Sequence, residues 1–181
     1  MSLQLANLET CTRQFMLDEL EADLAAGTLY RSPQLSEPGE RQYLDLLREA
    51  LTTGTDVSFA QALGACDAVR PPGRWQNSKE IGSEDATAAA VALLAEREFH
   101  RFYIRGLCRR ALEEGVSTLV IYRAKPSESG RSSSDAMVGV RITVSSLLED
   151  LRGSFRSLPP HGLPQCRDPG LSVRLPDTVL T

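Results

Sequence analysis

Residues 97–110 read REFHRFYIRGLCRR, with arginine at 97, 101, 105 and 109 and a further arginine at 110. At 3.6 residues per turn, an interval of four keeps these side chains in one slowly drifting sector of a helix. Phe99, Phe102, Tyr103, Leu107 and Ala111 fall on the opposite side. The pattern predicts one helix that is apolar on one side and cationic on the other. The aromatic side is expected to be core.

Three readings apply to the arginine side. The plainest is a solvated face whose charges pair with Glu98, Glu113 or the acidic N-terminal helices. A second is a dock for carboxylates, either on a partner or in the chain's own ELEAD segment at 19–23. Arginine suits that task because its planar fork holds a carboxylate with two hydrogen bonds. A third is a track for phosphates.

Working outward, the helix is expected to run from Glu84 to Glu114, capped by Ser83 and ended by Gly115. Its Ala-rich first half favours helix, whereas Gly106 is an interior weak point costing about 1 kcal/mol relative to Ala. A break near 95–97 is expected in so long an element. STLVIYRA (117–124) alternates and is rich in β-branched residues, so it reads as a strand. KPSESGRSSSD (125–135) is a polar loop, and AMVGVRITV (136–144) a second strand interrupted by Gly139. SSLLEDLR (145–152) reads as a short helix, and LSVRL (171–175) could add a third strand.

Upstream, residues 7–27, 37–54 and 56–69 carry helical spacing. Asn7 or Thr10 is the expected cap of the first helix, with Phe15, Met16, Leu20 and Leu24 as its apolar face and Gly27 as its stop. Pro71, Pro72 and Gly73 open a linker or surface loop over 70–83, which holds Trp75 as a plug over the core. The expected fold is therefore helix-rich α+β. It comprises an N-terminal helical segment (1–69), the linker (70–83), and an α+β unit (84–181) with one long amphipathic helix, a small antiparallel sheet and a Pro-rich C-terminal tail.

The chain has 181 residues, of which 41% are hydrophobic and 24% charged, within the range of globular proteins. No apolar run is long enough for a membrane span, and the N-terminus has no secretory pattern. A cytoplasmic, bacterial protein is expected. The net charge of −4 is unevenly spread: residues 1–60 hold 4 basic and 10 acidic residues, and residues 97–181 hold 13 and 9. Such asymmetry points to two faces or two halves with different partners.

Chemical motifs are few. Cys11, Cys66, Cys108 and Cys166 have no metal-binding spacing, and only His100 and His161 could join them. His100 and Cys108 are eight residues apart on one helix, about 12 Å, beyond hydrogen-bond reach. No phosphate-loop, dinucleotide or metalloprotease motif is present. No cofactor and no metal are expected, and His100 reads as a packing or hydrogen-bonding residue.

The candidate site is Arg97, Arg101, Arg105 and Arg109, with Arg123, Lys125 and Arg131 from the strand end and following loop. The primary expectation is a non-catalytic interaction or accessory protein whose arginine face binds an acidic protein partner or a second copy of the chain. The alternatives are a nucleic-acid- or phosphate-binding module and an enzyme acting on a phosphorylated or nucleotide substrate through the 121–135 loop.

Overall fold

A computed structural model describes residues 2–70, 83–126, 133–153 and 170–177. Five α-helices and a three-stranded antiparallel sheet are present among them, a helix-rich α+β fold. The chain divides into two compact units, one formed by residues 1–30 and 100–181, the other by Arg31–Phe99. None of the described helices is long and apolar enough to cross a membrane.

The first unit begins with a segment that runs beside the sheet. Gln4 donates its backbone N–H to Ala124 O at 2.8 Å, and the Tyr122 hydroxyl donates to Gln4 O at 2.7 Å. Helix α1 spans Thr10–Ala26, with Gly27 in the left-handed conformation at φ 67°. Neither expected cap is used. Glu9 occupies the cap position without a side-chain bond to the helix's own N–H groups, and Asn7 Oδ1 instead accepts from Leu175 N–H at 2.9 Å. A tertiary bond thus takes the side chain that local rules assign to the helix start.

Helix α4, Ser83–Glu113, is continuous through 95–97, and from His100 it belongs to this first unit. Phe102, Tyr103, Leu107 and Ala111 are buried, as their spacing requires. Contacts between α1 and α4 show that the two helices run antiparallel: Arg110 meets Glu9 and Thr12, Gly106 meets Met16, and Arg105 meets Asp23. A Cβ on Gly106 would lie 2.6 Å from Met16 Cγ and 2.8 Å from Met16 N. The weak point in helix propensity is therefore the place where a second backbone comes closest.

Strand β1 (Thr118–Arg123) is central. It pairs antiparallel with β2 (Arg141–Thr143) on one side and β3 (Leu171–Arg174) on the other. Beyond β2, Gly139 N–H donates to Ile121 O while Ile121 N–H donates to Val140 O. Two residues thus oppose one, a bulge whose first residue, Gly139, has φ 89°. This shortens β2 relative to the run expected from AMVGVRITV. A 3₁₀ turn (Ser133–Met137) precedes the bulge, and α5 (Val144–Gly153) follows β2, burying Val144, Leu147, Leu148 and Leu151.

The second unit contains α2 (Glu37–Thr52), α3 (Asp56–Ala65) and α4 up to Phe99. Ser36 caps α2, and Thr55 caps α3 through a capping box with Ser58. Tyr43, Leu47, Leu51, Phe59, Leu63 and Phe99 form its apolar centre. The Tyr43 hydroxyl donates to Glu98 Oε2 at 3.2 Å.

Candidate functional site: an arginine cluster between α1, α4 and α5

On α1 the buried residues are Thr12, Met16, Glu19, Leu20 and Asp23. The spacing is helical, but two carboxylates stand where an apolar stripe is expected, and Phe15 and Leu24 are only half-buried. Each buried carboxylate needs a cation. Glu19 and Asp23 are four residues apart, the same interval as Arg105 and Arg109, so antiparallel helices can match them turn for turn.

Arg105 is the centre of the match. Its Nη1 and Nη2 donate to Asp23 Oδ2 and Oδ1 at 2.6 and 2.8 Å, and its Nε donates to Glu19 Oε2 at 2.9 Å. The guanidinium also lies 5.3 Å from the centroid of the Phe102 ring. Burial disfavours the Arg105 charge, and the carboxylates of Asp23 and then Glu19 outweigh it, raising the pKa above the ordinary value. Burial likewise pushes the Glu19 carboxyl up, but Arg152 and Arg105 together hold it below its ordinary value.

Glu19 collects two further arginines. Arg109 Nη1 donates to Oε1 at 3.2 Å, and Arg152, from the last turn of α5, donates Nε to Oε2 at 3.0 Å and Nη2 to Oε1. The Glu19 side chain is fully buried, whereas those of Arg109 and Arg152 remain 35% and 43% exposed. The cluster thus has an enclosed anionic centre and a cationic rim.

Arg101, one turn before Arg105, is also fully buried. It differs in having no carboxylate partner among the described residues. Its Nη2 lies 3.5 Å from Leu151 O, at the limit of a hydrogen bond, and its Nε and Nη1 bond to nothing. An unpaired buried cation costs several kcal/mol.

The other expected site residues lie elsewhere. Arg97 is half-buried, with Nε unbonded. Arg123 pairs with Asp135 and is not a member of the cluster. Lys125 is half-buried, and its backbone N–H donates to Gly170 O at 3.1 Å. Arg131, His161, Trp75 and Cys166 lie outside the described residues. Arg152 was not expected in the site, and no motif marks it. Its position at the end of α5 becomes meaningful only once α5 is folded back near α1.

His100 is enclosed, with Nε2 2.9 Å from Ser172 Oγ on β3, and burial lowers its pKa to about 4. Tyr103 donates to Val173 O at 3.0 Å, so two side chains of α4 fasten the same strand. Burial, then the Glu19 charge, push the Cys108 thiol up to about 12, which removes its nucleophilic form. Among the described residues, no group of His, Cys, Asp or Glu is arranged to hold a metal ion. In the second unit, an open and largely apolar groove of about 780 Å³ is lined by residues including Ala60, Gly64, Val69, Ala88 and Val91.

No protein-family model, curated protein or solved structure matches the chain.

Proposed function

We propose that the chain is a non-catalytic interaction protein that receives an acidic partner at the rim of this cluster, through Arg109 and Arg152. The observation that carries the reading is the convergence of three guanidinium groups on the single carboxylate of Glu19, two of them still more than a third exposed. Glu19 cannot neutralise all three, and the surplus charge faces solvent, where it attracts an acidic surface and speeds its encounter. The burial of His100 beside Ser172 supports a structural role for that pair, since neither group can reach a substrate.

The test is fluorescence anisotropy with a labelled poly-glutamate peptide, set against a single-stranded oligonucleotide of matched charge. The expected result is peptide binding that weakens with salt and falls roughly tenfold in the Arg109→Ala/Arg152→Ala protein. Arg105 still holds Glu19 in that variant, so the fold is retained. Binding of the oligonucleotide alone would turn the reading to nucleic acid. Binding of neither would remove the rim as a recognition surface.

A further inference from the structure

Among the described residues, the charges of the cluster do not balance. Arg101, Arg105, Arg109 and Arg152 lie along its length, and the carboxylates that they touch are those of Glu19 and Asp23. Arg105 takes both oxygens of Asp23, and Glu19 is shared among Arg105, Arg109 and Arg152. Arg109 and Arg152 can place their remaining charge in water. Arg101 cannot, because it is fully covered.

We propose that Arg101 anchors an internal site for a small oxyanion, a phosphate or a carboxylate. Three features point to this ligand. The guanidinium is always charged, so the mismatch cannot be relieved by losing a proton. Its Nε and Nη1 donors are buried and unbonded, so hydrogen-bond acceptors are required there. The backbone carbonyl at Leu151 supplies only a weak, neutral acceptor at 3.5 Å. An oxyanion meets the charge and the bonding demand together. Enclosure limits its size: a free ion or a single acidic group fits the requirement, whereas a polymer backbone belongs at the exposed rim. The site is therefore separate from the acidic-partner surface and stands whether or not that surface binds a protein.

A ligand that binds the folded chain alone raises its unfolding temperature in proportion to the logarithm of ligand concentration once the site is saturated. The experiment is thermal unfolding of the full chain in inorganic phosphate, acetate and chloride at matched ionic strength, at low millimolar levels where general salting-out by phosphate is weak. It is repeated with Arg101→Met and Arg101→Lys. The wild type is expected to gain several degrees from phosphate or acetate and none from chloride. A gain from acetate alone identifies a carboxylate, and a gain from phosphate alone a phosphate. Arg101→Met is expected to lose the response and to melt in chloride no lower than the wild type. Arg101→Lys keeps the charge, loses the fork, and responds weakly. Equal behaviour of the wild type in all three anions overturns the proposal, even if a variant fails to fold. So does a response that survives in Arg101→Met.

Discussion

Arg101 and Arg105 stand one turn apart on the same helix, and both are buried, yet their surroundings are opposite. Arg105 meets two carboxylates in good geometry, with Phe102 against its guanidinium. Among the described residues, Arg101 meets one distant carbonyl. Burial alone does not decide what a cation does in a protein. A paired guanidinium holds two helices in register, whereas an unpaired one is a standing demand for an anion.

That contrast can be broken first at its strong end. Arg105→Met leaves Glu19 with two half-exposed arginines and leaves the largely buried Asp23 without its guanidinium. We expect a loss of about 3–5 kcal/mol in urea unfolding. Adding Asp23→Asn to that variant should recover part of the loss, because the orphaned charge is then gone. A loss under 1 kcal/mol would mean that the cluster contributes little to the fold.

Acidification tests the same helix one residue earlier. His100 is neutral when folded and has a pKa of about 4, against about 6.5 when unfolded. Between those values the unfolded chain binds a proton that the folded chain refuses. Stability must therefore fall as the pH falls through 6.5 toward 4, by at most about 3 kcal/mol. Glu19 extends the loss to lower pH: its folded carboxyl titrates below the ordinary value, so its contribution is present above that value and disappears beneath it. His100→Asn should flatten the upper part of the profile while leaving the lower part intact.

Gly106 separates packing from propensity. Alanine favours an isolated helix by about 1 kcal/mol over glycine. Here its Cβ would overlap Met16, including the backbone nitrogen. Overpacking should prevail, and Gly106→Ala should destabilise by about 1–3 kcal/mol in the same assay. A stabilised variant would show that α1 and α4 leave room for a Cβ at this position. The smallest effect is expected at Arg110, which pairs with Glu9 and Glu114 near the surface. Arg110→Ala should cost roughly 0–1 kcal/mol, and the difference should fade in high salt.

Much of this fold is legible in the sequence. The Ala-rich run, the aromatic side of 97–111 and the alternation in STLVIYRA each obey a local period. α4, β1 and the buried Phe99, Phe102 and Tyr103 follow from those periods. LSVRL becomes β3 for the same reason. The candidate site is less legible. The ladder of arginines and the acids at 19–23 both stand out, and the ELEAD dock correctly names their meeting as one alternative. Nothing local, however, shows that α1 carries Glu19 and Asp23 on its buried side, because that depends on which helix comes to face it. Arg152 joins the cluster through a contact 133 residues apart in the chain, which no window of sequence contains. Arg101 and Arg105 are chemically identical in REFHRFYIRGLCRR. Only the folded neighbours distinguish them.

The most direct measurement is urea unfolding of Arg101→Met and Arg105→Met side by side, in buffer free of phosphate and carboxylates. The two variants are expected to behave oppositely. Arg105→Met loses about 3–5 kcal/mol, and Arg101→Met is neutral or more stable, because its unpaired buried charge has been replaced by a flexible apolar side chain. Equal destabilisation of the two proteins would contradict it, since Arg101 would then be as well paired as Arg105.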